Sequence, residues 1–489
     1  MQNEIQKRDN ERIKMARLFG KMSRGEITRR EMLQQGAAAG IGAATLALFA
    51  NGPRRAWAQD ATPAAGVEVG STVPVPTDLR TDLTGQEITA ILGNDGPGVP
   101  FEEAMIAKFS EATGIVVERI SGPTATDERL TQYLQSFSAE SADIDVVMID
   151  VIDAGVVAAH AIDLTDVLAS QGVEYIERIV QNNTVDGKLV GIPWYTDAGL
   201  LYYRTDLLEK YGFEAPPATW DELQSMAQTI QEGERATTPD FQGFVFQGAS
   251  YEGLTCNALE WVASNGGGEI VDADGTVTLN NEKAVAILGQ AAGWVNTISP
   301  EGVTTYKEED GRGVWQVGNA AFMRNWPYAY SLGQNPDAAT GEVPVIADKF
   351  DVVVLPAGTG EGARNADTLG GWQMMVSTYS EAQDAAKEFA KFMTSPAVQK
   401  GYAIELSLLP TIPDLYSDAD VLAANPFYER LLDVFQNGAV ARPSTPSSVL
   451  YPELSSIFYQ GVNGILTGAD AASTVEEMAA DMETLLSEL

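Results

Sequence analysis

Residues Gly191–Arg204 read GIPWYTDAGLLYYR, and the stretch changes character in its middle. Val190-Gly191-Ile192-Pro193 is apolar and ends at a proline. A proline cannot donate to a central sheet ladder, so a strand is predicted to end, or to lie at an edge, at Pro193. Leu200-Leu201-Tyr202-Tyr203 is a second run, rich in strand formers. Between the runs lie Trp194, Tyr195, Thr196 and Asp197, two aromatic rings and a carboxylate on a predicted break between elements. A buried sugar site needs such a mixture: rings cover the apolar face of a pyranose and a carboxylate accepts from its hydroxyls. A strand–turn–strand passage with core aromatics would read the same way, and spacing alone leaves both open.

The flanks add a pattern. Asp186–Pro193 (DGKLVGIP) precedes the stretch, and Thr205–Gly212 (TDLLEKYG) follows it. The whole passage resembles the family-1 extracellular solute-binding proteins of ATP-binding cassette importers, whose chains often read "dGKlyGiPw…lyYrkDlfeKyG" where they cross between two lobes. The resemblance covers nearly all of the chain after its leader. It implies an α/β, two-lobed periplasmic-binding-protein-like fold with hinge crossovers and a ligand cleft between the lobes.

Residues 1–58 read as an export leader. They hold eleven Lys/Arg against five Asp/Glu, adjacent Arg29 and Arg30, a weakly apolar run at Gly36–Ala50, and an A-x-A-like site at Ala56-Trp57-Ala58. That order predicts a signal peptide of the twin-arginine type. The apolar run is short for a membrane span, which needs roughly 20 residues. No lipid-anchor cysteine follows it. Without the leader, 20 basic and 63 acidic residues remain, a net charge of −43. So acidic a chain repels nucleic acid and anionic lipid, so no nucleic-acid partner is expected. Roughly 430 residues are enough for two or more cores. A single cysteine, Cys256, excludes an intrachain disulfide, and a single histidine, His160, makes histidine-based metal binding or catalysis a poor fit. No cofactor and no metal are expected.

Residues 59–84 are rich in Ala, Pro, Val and Thr without period, and are predicted to be a disordered spacer. Glu87–Leu92 predicts a first strand, Phe101–Thr113 a helix closed by Gly114, and Ile115-Val116-Val117 the next strand. Asn94 and Asp95 stand in the turn-rich loop after the first strand, where open α/β sheets bind ligands. Thr126–Ala139 is predicted to be a helix capped by Thr126 or Asp127, and Asp127 is also a candidate ligand residue. The unbroken apolar run Asp145–Ile149 predicts a buried strand with Asp150 at its end. Thr219 with Glu222 predicts the capping box of a helix. Trp326 and Tyr328 flank Pro327, so they could sit on an irregular segment facing a cleft, or mark a core tryptophan at a strand end. Gly370-Gly371-Trp372 pairs two residues that let backbone approach a ligand with a ring that can stack on it. A guanidinium such as that of Arg442 can fork to vicinal hydroxyls.

The resemblance assigns roles to these residues. Asp150 matches the family's sugar-binding aspartate, "MrNWPYa" around Trp326 resembles members that bind trehalose and maltose, "lGGw" matches Gly370–Trp372, and Arg442 falls on a sugar-binding arginine in "RP.tp.Y". The implied ligand residues are thus Asn94, Asp95, Asp127, Asp150, Tyr195, Asp197, Trp326, Tyr328, Gly370, Gly371, Trp372 and Arg442. Loss of Asp197 or Arg442 is expected to weaken sugar binding with little change in unliganded stability. The implied lobes are 85–193 with 343–393, and 194–342 with 394–489. The implied activity is capture of an α-linked glucose disaccharide such as trehalose, maltose or sucrose, without catalysis, by an exported monomer on the periplasmic or extracellular face. Delivery is to the permease subunits of the importer. A polyamine-binding protein of the same fold is the alternative, and a secreted glycoside hydrolase with paired carboxylates a weaker one.

Overall fold

The computed structural model describes residues 69–94, 98–123, 125–336, 343–431 and 438–488. The leader with Arg29 and Arg30, the spacer's first ten residues and Asp95 lie outside them. Strands are numbered in chain order: β1 Glu87–Leu92, β2 Val116–Ser121, β3 Val146–Asp150, β4 Thr184–Val185, β5 Lys188–Leu189, β6 Ile192–Ala198, β7 Leu200–Arg204, β8 Gln242–Val245, β9 Ala320–Asn325, β10 Phe350–Val353, β11 Asp367–Val376, β12 Leu409–Pro410 and β13 Ala439–Val440. The longer helices are α1 Gly98–Thr113, α2 Thr126–Ser138, α3 Trp220–Glu234, α4 Glu252–Ser264, α5 Glu282–Trp294, α6 Glu308–Gln316, α7 Gln383–Met393, α8 Pro396–Leu406, α9 Tyr451–Leu466 and α10 Ala471–Leu486.

Two sheets organise these elements. The first runs β12-β6-β11-β3-β1-β2, with β13 beside β11, and the second runs β10-β7-β9-β8. The opening stretch is the passage between them, since β6 belongs to the first sheet, β7 to the second, and only Gly199 separates the two. A side chain at Gly199 would run into the carboxylate of Glu260 and the guanidinium of Arg324, so the crossover requires glycine.

Pro193 does not end the strand. β6 continues through Trp194, Tyr195 and Asp197, buried at every position. Its partner β11 shifts register there, pairing Trp372 with Tyr195 and then Gln373 with Pro193. Trp194 is the extra residue of a bulge, and pairing with β12 starts only at Tyr195. The missing proline N–H therefore falls where the ladder is already interrupted.

The predicted lobe boundaries shift for the same kind of reason. β10 pairs antiparallel with β7, so Phe350–Val353 joins the second sheet rather than the first. Residues 194–198 stay in the first sheet as part of β6. Phe389, Phe392, Val398 and Tyr402, on α7 and α8, pack with Phe101, Phe109 and Trp194 under the first sheet, so 394–406 stays there too. Phe458, Val462, Met478 and Met482, on α9 and α10, pack with Leu259 and Ile287 under the second.

Residues 69–84 are not a loose spacer. Val73 and Leu83 are buried in the first core. The Lys108 ammonium donates to the carbonyls of Gly70 (2.7 Å) and Val73 (2.6 Å), and the Arg80 N–H donates to Glu388 (3.0 Å). Two apolar anchors and these bonds hold a segment whose average composition reads as coil.

The expected cap of α3 forms, with Thr219 accepting from the Glu222 N–H at 3.2 Å, although the Glu222 carboxylate reaches Ala218 rather than Thr219. α2 starts at Thr126 as expected, but neither Thr126 nor Asp127 caps it. Its N-cap is Ala125, without a side-chain bond, and Thr126 and Asp127 lie inside the helix.

Candidate functional site

Three adjacent strands bring half of the candidate residues together. Asp150, at the end of β3, pairs with Trp372 on β11. On the other edge of β11, Trp372 faces Tyr195, Gly371 faces Thr196 and Gly370 faces Asp197. The two glycines serve close packing within the protein. A Cβ at Gly371, where φ is +132°, would stand 2.7 Å from the Tyr195 carbonyl oxygen. One at Gly370 would stand 3.1 Å from Asp197 Cβ and 3.3 Å from the ring of Trp326. Gly370 thus seats Trp326 against the strand, two positions from Trp372.

Arg442 is tied down more firmly than the sequence indicates. It donates to Asp150 at 2.6 Å and to Glu252 on α4 at 2.9 Å. Glu252 also accepts from Tyr451 at 2.5 Å and from Ser455 at 2.6 Å. All of these groups are buried. Burial works against the charge on Arg442, and Asp150 and Glu252 more than restore it. Burial pushes the Glu252 carboxyl up, against the pull of Arg442. Burial, then the neighbouring Asp150, push the Asp153 carboxyl up. Arg442 is therefore a bridge between two carboxylates, and the expectation that it can be removed without loss of unliganded stability does not hold. Taking it away would strand two buried negative charges.

Both tryptophans have an arginine laid on one face. The Arg129 guanidinium stands 4.4 Å from the Trp372 ring centre, and that of Arg324 3.9 Å from the Trp326 ring centre. Both rings remain half-buried, as does Tyr328, which follows on the segment between β9 and the next helix. The Trp326 Nε1–H donates to Glu308 at 3.3 Å, and the Tyr328 hydroxyl to Glu309 at 2.6 Å. Arg324 is fixed by Glu260 and by Gln247 at 3.1 Å.

The remaining candidates have no contact with these groups in the hydrogen bonds or pairings of the described residues. Asn94 and Asp127 are exposed, and neither shares a hydrogen bond with Asp150, Trp372 or Arg442 among the described residues. His160 is bonded through Nδ1 to the Tyr379 hydroxyl at 2.9 Å and stacks on Phe137. Cys256 is buried, and burial pushes its thiol up to about 12.

Sequence reasoning missed Arg129, Glu252, Glu260, Glu308 and Arg324. Each reads locally as an ordinary charged position in a helix or strand. Most of their partners are remote, 190 residues away for Glu252 and Arg442 and 64 for Arg324 and Glu260, whereas the ring on Arg324 is only two residues on.

Residues 94–400 match the family model described as bacterial extracellular solute-binding protein. A Deinococcus radiodurans protein described as "Probable ABC transporter-binding protein" is 48% identical over 387 residues, 78% of this chain and 90% of that one. The maltose-bound MalE3 structure from T. maritima is similar at a TM-score of 0.76 and 38% identity, covering 82% of this chain and 100% of that one. A solute-binding protein of an ABC transporter from Agrobacterium radiobacter K84, in complex with ribitol, shares the fold at a TM-score of 0.72 and 24% identity, over 82% and 99% of the two chains.

Proposed function

The chain belongs to the bacterial extracellular solute-binding proteins, with their two-lobed α/β fold, and from that premise we propose that it captures an α-linked glucose disaccharide of the trehalose, maltose or sucrose kind and delivers it to the permease of an ABC importer. The observation that carries this reading is the placing of Trp372 and Trp326 around Gly370, half-buried and next to Asp197 and Asp150. Half-buried indoles offer flat apolar faces to a pyranose, and neighbouring carboxylates accept from its hydroxyls. The structural relative at 38% identity has maltose bound. Others of the same fold bind ribitol, α-D-tagatose or D-mannitol, so the choice of disaccharide is the part the test must decide.

The charges favour a neutral ligand. Arg442 bridges Asp150 and Glu252, and Arg324 engages Glu260, so these buried carboxylates already have counter-charges. A polyamine would have to compete with them. The same pairing argues against hydrolysis, because Asp150 and Glu252 hold one guanidinium rather than flanking a scissile bond. Binding without turnover fits a hinge closure of the two lobes on the sugar and its release at the permease. Export through the twin-arginine route, read from Arg29 and Arg30, completes the proposal. No helix among the described residues is long and apolar enough to cross a membrane.

A thermal-shift panel of maltose, trehalose, sucrose, spermidine and ferric citrate tests the reading. A ligand held at a hundredfold excess over its Kd stabilises the folded state by about 2.7 kcal/mol. A shift with a disaccharide and no released glucose is expected. A shift with spermidine or ferric citrate alone would overturn the assignment.

A further inference from the structure

We propose that Arg129 and Arg324 are positioning residues, each laid against one face of a tryptophan whose opposite face takes the sugar, and that together they set the cleft against cationic ligands. The inference rests on the sugar reading above and adds what selects within it.

Arg129 is the more telling of the two. It is 1% exposed, on the first turn of α2. It donates to the Pro123 carbonyl through Nε (3.0 Å) and Nη2 (2.8 Å), and through Nη1 to Met148 Sδ (3.3 Å). No carboxylate forms an ion pair with it among the described residues. A buried cation without a counter-ion is costly, and such groups persist when something else needs them. The remaining partner is the π face of Trp372. Arg324, also 1% exposed, reaches the same arrangement from β9, with Glu260 as its counter-ion. Two unrelated elements thus bring a guanidinium under each of the two half-buried indoles.

The consequence for ligands follows from ring electrostatics. An indole face is negative and attracts cations. A guanidinium on one face draws on that density, and its charge repels a second cation brought to the other face. A neutral sugar meets no such repulsion and finds a ring already fixed in orientation, so less side-chain freedom is lost on binding. Lysine would keep the charge but not the flat stacking or the fork that holds Pro123.

Calorimetry of the full chain with maltose, trehalose, sucrose and spermidine tests this. In Arg129→Met, sugar affinity should fall three- to tenfold while spermidine affinity rises, so that the sugar-to-spermidine ratio drops tenfold or more. Arg129→Lys should recover most of the discrimination against spermidine but not the sugar affinity. If Arg129→Met does not fold, Arg324→Met with Glu260→Gln removes the other cation together with its buried partner, and the same ratio is read. Sugar binding by the wild type with an unchanged ratio in the variants would overturn the inference and leave the sugar reading standing. A wild type that takes no sugar of the panel would overturn both.

Discussion

Two groups among the tryptophans of the chain differ in their surroundings. Trp220, Trp261 and Trp294 lie in the second core, all but fully buried, packed on one another with ring centres 5.6 Å apart for Trp220–Trp294 and for Trp261–Trp294. Phe244 and Phe246 close the same cluster. Trp326 and Trp372 have no aromatic neighbour of that kind among the described residues, and each carries a guanidinium on one face and remains half-buried. A ring enclosed by other rings contributes to stability alone. A ring backed by a guanidinium and left half-buried keeps surface that something outside the chain can use. Local sequence carries little of this distinction: Trp220, Trp261 and Trp294 lie within or just at the ends of helices, but Trp194, fully buried on β6, follows a proline much as Trp326 precedes one.

The largest effect should come from the bridge that supports the open group. Arg442→Ala strands Asp150 and Glu252, and breaking a buried pair in this way costs about 3–5 kcal/mol. Denaturant unfolding should show that loss, together with loss of sugar binding. Stability within about 1 kcal/mol of wild type, the range of a surface pair, would mean that Arg442 is not the buried bridge described.

In the closed group, Trp261→Ala should cost about 3–5 kcal/mol through the cavity it leaves. Affinity measured on the folded fraction should stay near the wild-type value. A selective loss of affinity would erase the contrast between the two groups. Trp326→Ala should behave in the opposite way, with affinity falling roughly thirtyfold, the effect of removing an anchor worth about 2 kcal/mol, while the melting temperature changes little.

The smallest effect concerns Asp367, at the head of the strand that carries Trp372. Its carboxyl is fully buried, accepts from the Leu355 N–H at 2.9 Å, and is raised well above its ordinary value by burial. The folded chain therefore keeps a proton that the unfolded chain releases. The stability this gives is present in full below the ordinary carboxylate range and is lost as pH rises toward the folded value. Asp367→Asn keeps the acceptor and removes the ionisation, so its stability should exceed that of wild type increasingly as pH rises from 4 to 8, read by thermal unfolding. An identical pH dependence in both proteins would rule out Asp367 as the source.

Much of the architecture was legible because it is local. The strand–helix–Gly–strand opening, the buried run before Asp150, and the two strand-forming runs on either side of Gly199 all follow from period and turn chemistry. A proline at a bulge looks like a proline at a strand end, so Pro193 reads locally as the end of a strand it does not end. A short apolar strand such as Phe350–Val353 does not name its partner, so its place in the second sheet is not readable from its residues. In the site, Asp150 ends β3 as its apolar run indicates, whereas Tyr195 and Asp197 lie within β6 rather than on a break between elements, and Gly370 and Trp372 lie within β11. The electrostatic frame was not legible. Arg442 finds Asp150 across 292 residues and Glu252 across 190, and a lone arginine at the start of α2 gives no hint of the ring above it.

The central claim is that an α-glucoside disaccharide binds against the open tryptophans. Calorimetric titration of wild type and folded Trp372→Ala with maltose, trehalose and sucrose tests it most directly. Saturable one-to-one binding of at least one disaccharide, weakened about thirtyfold by the substitution in a protein that remains folded, is the predicted result. Equal affinity in the two proteins, or no disaccharide bound by the wild type, would contradict it.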